Sequence, residues 1–154
     1  MSNASALLQQ IRTCLGGYER AKPDSALPQW VDMGEGTHRF YCGNPRDKSQ
    51  GREGLTFKQT GYTLTFEVYA EETAQGWHYR SFSVHLINVG EASILFHKDP
   101  ENARWPDHPE THVQFEAPAE SVQAVPFLSW RLPLGEIDPI QCLEYATARG
   151  VDTG

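Results

Sequence analysis

Apolar and polar residues alternate through the middle of the chain, and this period-two pattern restricts the fold more than any other feature. Successive side chains of a β-strand point to opposite faces, so alternation predicts a strand with one buried face. The clearest example is the run 62–70, in which Leu64, Phe66 and Val68 share one face. The same pattern predicts strands over residues 38–42, 55–59, 62–70, 78–89, 92–97 and 111–115.

A different pattern, with spacings of three and four residues, predicts a helix at each end of the chain. In the first helix, over 5–17, Ser5 is placed to cap the start and Gly16-Gly17 to end it. Its apolar face consists of Leu7, Leu8, Ile11, Cys14 and Leu15. In the second, over 138–150, Asp138 is the capping residue, Pro139 takes the first helical position and Gly150 the stop. Its buried stripe includes Ile140 and Leu143.

Strands lie between the two helices without helix–strand alternation, which predicts an α+β fold with a mostly antiparallel sheet of five to seven strands. The sequence predicts turns at residues 60–61 and 74–76 and coil over 22–28. One more strand over 125–132 is possible, but Pro126 would confine it to the edge of the sheet or to a bulge. At 154 residues and 39% hydrophobic content, the chain fits a single domain, 1–154.

The formal net charge of −7 argues against broad attraction to nucleic acid or to an anionic membrane. No apolar run reaches membrane-spanning length, so we expect no membrane partner. Cys14, Cys42 and Cys142 are widely spaced, and the chain begins without a signal-peptide pattern. We therefore expect a cytoplasmic protein with no disulfide and with largely buried thiols.

The predicted hairpin over 78–97 determines where two of the histidines lie. A three-residue loop, Val89-Gly90-Glu91, would pair Leu86 with Ile94 and Val84 with Phe96, joining apolar to apolar residues. A two-residue loop would reverse the faces and set a histidine against Phe96, which is a poorer match. The favoured register places His85 and His97 on the same, non-core face.

The segment 96–115 holds half of the six histidines of the chain. If its strand pairs beside 92–97, His112 joins His85 and His97 on one polar surface, and the loop with Asp99, Asp107 and His108 hangs over its end. Three imidazoles, or two and a carboxylate, can hold zinc or iron with an open position. No HxH or HExxH spacing is present, so we assign no metal ligands, and the cofactor stays undetermined.

The same cluster also suits chemistry without a metal. His85, His97, His108 and His112 are candidates for moving a proton near neutral pH, with Asp99 orienting one of them. The alternative is that these are exposed loop and strand histidines, and that the Asp-His-Pro sequence simply forms a turn.

A second candidate segment is the glycine-rich loop 43–54, whose cations Arg46, Lys48 and Arg52 stand out in an acidic protein. They would meet phosphate groups if the loop folds over the histidine surface. The loop lacks the GxxxxGK[ST] order, which excludes a nucleotide-binding P-loop. The alternative is a mobile surface loop.

The run 79–85, the run 95–99 and the closing segment His108-Pro-Glu-Thr-His112 resemble the core of bacterial TumE-like proteins. The resemblance covers residues 79–116. Members of that family are regarded as RNA-cleaving toxins of toxin–antitoxin pairs, with a strand, a turn, a strand and a histidine-rich closing segment. The resemblance implies a catalytic role for the histidine cluster.

These observations favour a toxin or phage-defence type ribonuclease that uses the histidine cluster and meets RNA through the local basic loop. Whether the protein is an enzyme remains open. The alternative is a non-enzymatic acidic binding module, such as an inhibitor, immunity or accessory protein, that binds a basic partner protein. A third reading is a small-ligand barrel with a polar cavity, which requires the sheet to curl closed.

Overall fold

The computed structural model describes residues 2–43, 54–87, 93–105, 108–116 and 131–151. The elements in chain order are α1 (Asn3–Cys14), β1 (Gln29–Gly34), β2 (Thr37–Cys42), β3 (Leu55–Thr56), β4 (Thr63–Thr73), β5 (Gly76–Ile87), β6 (Ser93–Lys98), β7 (Thr111–Glu116), β8 (Arg131–Pro133) and α2 (Pro139–Val151). A helix at each end and strands between them make the α+β fold that the sequence predicts.

The eight strands form one sheet in the order β1-β2-β4-β5-β6-β7-β8, with β3 paired to β4, and every pairing is antiparallel. This is one strand more than the largest number predicted, and the strand that the sequence analysis did not predict is β1. It follows the predicted coil and joins β2 through a tight turn in which Glu35 and Gly36 both have positive φ. The predicted edge segment 125–132 lies mostly outside the described residues, and its end falls in the short strand β8.

The hydrophobic core lies between one face of the sheet and the two helices. This face, called here the helix face, carries the buried side chains of Phe40, Phe66, Val68, Phe82 and Val84. The core also takes in the following helix residues: Ala4, Leu7, Ile11, Cys142, Leu143 and Ala146. The opposite, outer face of the same strands carries the intervening residues, including the predicted histidines.

Both helices begin at side-chain caps. The Ser2 hydroxyl accepts a hydrogen bond from the Ser5 amide, so α1 starts earlier than predicted and Ser2, not Ser5, is its N-cap. In α2, the Asp138 carboxylate accepts from the Gln141 amide at 2.9 Å, and the Gln141 side chain accepts from the Asp138 amide at 3.1 Å. This reciprocal capping box secures the predicted start of α2.

Gly150 has a different role from the predicted helix stop, because α2 continues to Val151. A Cβ atom at this position would lie 2.3 Å from the ring of Phe57, a side chain with 0% exposure. Thr60 also donates its hydroxyl hydrogen to the Gly150 carbonyl. Glycine is required here by close packing against the sheet.

The β5–β6 hairpin has the predicted register. Val84 pairs with Phe96 and Leu86 with Ile94, so the apolar residues meet on the helix face. The loop predicted to set this register, Val89-Gly90-Glu91, lies outside the described residues.

All three cysteines are free thiols. Cys42 and Cys142 are buried as expected, whereas Cys14 is half-buried, with its sulfur 3.8 Å from the Ile140 carbonyl oxygen. Among the described residues, no helix has both the length and the apolar character needed to cross a membrane.

Candidate metal centre

His97 on β6 and His112 on β7 are direct cross-strand partners. Register places them together, because β6 and β7 pair so that Phe96 and Val113 meet on the helix face and the next pair meets on the outer face. Their ring centroids lie 5.2 Å apart. The predicted common face of His97 and His112 is confirmed, and the two imidazoles are in contact.

His108 reaches the same place from the connection between β6 and β7. The amide and carbonyl of Arg104 and His108 exchange two backbone hydrogen bonds of 2.8 and 2.7 Å, which folds the connection back on itself. The His108 ring centroid then lies 4.9 Å from that of His112 and 6.0 Å from that of His97. One potential ligand atom from each of the three histidines lies within 4.8 Å of the other two.

The hydrogen bond that His112 makes to Pro109 leaves its second ring nitrogen available for a ligand. This residue is fully buried, at 0% exposure, and its Nδ1 is 2.9 Å from the Pro109 carbonyl oxygen. A carbonyl oxygen can only accept, so Nδ1 carries the proton and Nε2 keeps its lone pair. Within the described part of the chain, the buried Nε2 of His112 and Nδ1 of His108 have no hydrogen-bond partner. Unsatisfied buried nitrogens of this kind are suited to binding a ligand.

The surroundings favour the neutral form of two of these imidazoles, those of His97 and His112. Burial lowers the pKa of His97 to about 4, with positive charge on His112 and His108 acting in the same direction and Asp99 opposing it. Burial also lowers the pKa of His112, against the opposing effect of its hydrogen bond to Pro109. A metal ion needs deprotonated ligands, so neutral imidazoles at physiological pH suit metal binding.

Asp99 lies at the edge of the cluster, with its carboxylate 4.0 Å from His97 Nε2. Burial acts to raise its pKa, but hydrogen bonds from the side chain and amide of Asn102 and the nearby imidazoles outweigh burial, and the pKa is lowered. The Asn102 side-chain amide donates at 2.7 Å. Asp99 is therefore an ionised carboxylate beside His97, but at 4.0 Å it makes no hydrogen bond to the ring, so its orienting role stays a prediction.

The cluster has the composition and spacing for one transition-metal ion. With Zn–N bonds of about 2.0–2.1 Å, tetrahedral ligand nitrogens stand about 3.3 Å apart. The present spacing of at most 4.8 Å closes to that value by side-chain movements of about 1 Å. Three histidines leave a fourth position for water or substrate, which is the arrangement of catalytic zinc sites.

His85 shares the outer face, as predicted, but it is not one of the three clustered histidines. It pairs with Leu95 on β6 and with Thr65 on β4, toward the centre of the sheet. Its side chain is buried, at 5% exposure. The separation follows from register, because His97 is two residues further along β6 and only diagonal to His85.

The other predicted site residues, Arg46, Lys48 and Arg52, lie outside the described residues, as does Asp107. The sequence analysis in turn missed Pro109 and Asn102, which hold His112 and Asp99 by hydrogen bonds. The four-residue spacing of His108 and His112 is not a signal for a paired metal site here, because His108 lies in an irregular connection and His112 on a strand, whereas that spacing pairs ligands on a helix.

No protein-family model, no curated protein and no solved structure matches this chain. The resemblance to TumE-like proteins thus rests on the quoted motifs alone, and function has to be argued from the site.

Proposed function

We propose that this protein is a small metal-dependent ribonuclease whose metal is bound by His97, His108 and His112. The observation that carries the proposal is the convergence of the three imidazoles, with ligand atoms within 4.8 Å of one another and two buried ring nitrogens without partners in the described residues. RNA as the substrate comes from the resemblance of residues 79–116 to RNA-cleaving proteins.

The bound metal would supply a hydroxide at neutral pH, since zinc lowers the pKa of its water to about 7. Such a hydroxide would supply the nucleophile for hydrolysis of a phosphodiester, in which the bond from phosphorus to the leaving ribose oxygen would break and that oxygen would take a proton from solvent. In this scheme three imidazole nitrogens would hold the ion, and the Asp99 carboxylate beside His97 would orient that ring.

A metal-free mechanism is less well supported by the same geometry. With a pKa of about 4, His97 carries a proton in only about one molecule in a thousand at pH 7. A general acid works best when its pKa is near the working pH. The environment of His97 therefore suits a metal ligand better than a proton donor.

The proposal is tested first by metal analysis of untagged protein and of His108→Ala, because His108 is half-buried and lies outside the hydrophobic core. We expect about one equivalent of zinc or another divalent transition metal in the wild type and almost none in the variant. His112→Ala gives a second test, with folding checked by circular dichroism because the side chain is buried. His78→Ala is the matched control, since His78 is an exposed histidine of β5.

The second part is an RNA-cleavage assay on the same proteins. We expect cleavage by wild type and His78→Ala, loss after chelation, recovery on adding back the metal, and loss in both cluster variants. A folded wild-type protein that retains no metal would overturn the metal site. A loaded protein that leaves RNA intact would overturn the ribonuclease assignment and favour the binding-module alternative.

A further inference from the structure

We propose that the cleft beside the histidine cluster is the RNA-binding site, in which Arg80 binds a backbone phosphate next to the scissile one. This inference rests on the proposed function and adds to it the position and chemistry of substrate binding. The cleft, of about 490 Å³, is lined by His97 and Asp99, by Arg80, and by hydroxyl-bearing residues of β4 and β5. Its volume is within the range of small-ligand sites, enough for about one nucleotide.

A β-bulge turns Arg80 into this cleft. Tyr69 pairs with Ser81 and the next residue, Ala70, pairs with Tyr79, so Arg80 is the extra residue of β5. Regular alternation from Phe82, on the helix face, would place Arg80 on the helix face and Tyr79 on the outer face. With the bulge, Tyr79 packs against the core and Arg80 lines the outer cleft. Bulges next to active sites commonly re-aim a side chain in this way.

The centre of the cleft offers hydrogen-bond donors that are not used elsewhere. Tyr69, Ser81 and Ser83 are half-buried, and their hydroxyls make no side-chain hydrogen bond within the described part of the chain. Arg80 likewise has no ion-pair partner among the described residues. A guanidinium and hydroxyl groups that line the same cleft suit a phosphate group, whose oxygens accept hydrogen bonds.

The acidic side chains of the cleft are compatible with an anion because the buried one is neutralised. The Glu67 carboxylate accepts two hydrogen bonds from Arg39, at 2.6 and 2.9 Å. Asp99 is at the metal end, where the ion would offset its charge. Glu101 is exposed at the rim and unneutralised, so its charge should weaken phosphate binding.

The test measures binding of a fluorescein-labelled single-stranded RNA decamer by anisotropy, with EDTA-treated protein so that no metal-dependent cleavage takes place. We expect Arg80→Gln to weaken binding about tenfold and to reduce the slope of log K against log salt by about 1. Glu101→Gln should strengthen binding by a few-fold, because a repelling charge is removed. Arg12→Gln, at an exposed arginine of α1, is the matched control and should bind as the wild type does.

Wild-type protein that does not bind the decamer, or Arg80→Gln that binds as well as wild type, would overturn this inference. Competition by adenosine 5′-monophosphate as strong as by unlabelled decamer would overturn the assignment of an RNA chain, in favour of a single nucleotide. The two proposals fail separately. Arg80-dependent binding without cleavage by the metal-loaded protein rejects only the ribonuclease, whereas cleavage that is the same in Arg80→Gln rejects only the cleft.

Discussion

The two faces of the central sheet are made by the same strands but differ in what their side chains do. On the helix face, Phe40, Phe66 and Val84 have 0% exposure and pack against α1 and α2. The outer face carries ionic, hydroxyl and imidazole side chains as well as the apolar Leu95, and the histidine cluster and the cleft both lie there. The outer face also has buried positions, since Thr65 is 1% exposed.

The difference shows how a register chosen by packing can position a polar site. Pairing Val84 with Phe96 and Phe96 with Val113 satisfies the helix face. A one-residue slip would move each apolar side chain to the other face, so the register is strongly specified. His97 directly follows Phe96, and His112 directly precedes Val113. Pairing Phe96 with Val113 therefore also pairs the two histidines. Packing on the helix face therefore determines which side chains lie next to each other on the outer face.

The largest expected effect is on the helix face, from Phe66→Ala. Removing a fully buried phenylalanine loses its burial and leaves a cavity, which costs about 3–5 kcal/mol. Urea denaturation gives the free energy of unfolding. A loss below about 1 kcal/mol would contradict the core described here.

Gly150→Ala tests the contact between α2 and the sheet. Alanine normally favours a helix over glycine by about 1 kcal/mol, but here its Cβ would lie 2.3 Å from the Phe57 ring. We expect a net destabilisation of about 1–3 kcal/mol from overpacking. A stabilised variant in urea denaturation would show that the packing at Gly150 is looser than this contact implies.

A pH titration of stability tests the outer face in the metal-free protein. The pKa of His97 is lowered from 6.5 to about 4 on folding, so the unfolded chain takes up this proton at a higher pH than the folded chain does. Its contribution is complete above pH 6.5 and is lost as the pH falls toward 4. By pH 5 the loss is about 2 kcal/mol from this residue, and His112 acts in the same direction. Urea denaturation from pH 7.5 to 5 measures it.

His97→Gln is the matching variant for that titration, since glutamine keeps a polar side chain without the proton. The dependence of unfolding free energy on pH should become shallower by about the amount assigned to His97. An unchanged slope would mean that His97 is solvated or protonated in the folded protein, and the neutral cluster would then be wrong.

The smallest effect is expected for Ser83→Ala, at a half-buried outer-face position of β5. Its hydroxyl makes no side-chain hydrogen bond within the described residues, so the unfolding free energy should change by less than about 0.5 kcal/mol. A decrease in unfolding free energy as large as that of Phe66→Ala would show that the outer face contributes to stability as much as the helix face does.

Much of the fold was predictable because its signals are local. The period-two alternation predicted most of the strands, and the helical spacing with its cap and stop residues predicted the two helices. The pairing of apolar Val84 with Phe96 predicted the hairpin register. Strand β1 was not predicted, because its residues Val31 and Met33 are exposed at 40% and 54% and leave no buried apolar period to detect. Its place is decided by pairing with β2.

The candidate site was predictable only in part. The alternation of side chains along the strands predicted that His97 and His112 share one face. The sequence analysis also included all three clustered histidines and Asp99 among its candidate site residues. It grouped His85 with them, although the predicted register already makes His85 only a diagonal neighbour of His97. It could not predict that the Arg104–His108 backbone pair returns His108 to the cluster, which depends on the closure of an irregular connection.

The sequence by itself thus determined which residues form strands, which face each side chain takes and which histidines are available, because these follow from periodicity within a few residues. The tertiary structure alone decided that three imidazoles converge and that a bulge turns Arg80 into the cleft. Both depend on how separate segments pack, where the free energy of burying Tyr79 and the surrounding core outweighs the regular alternation of a single strand.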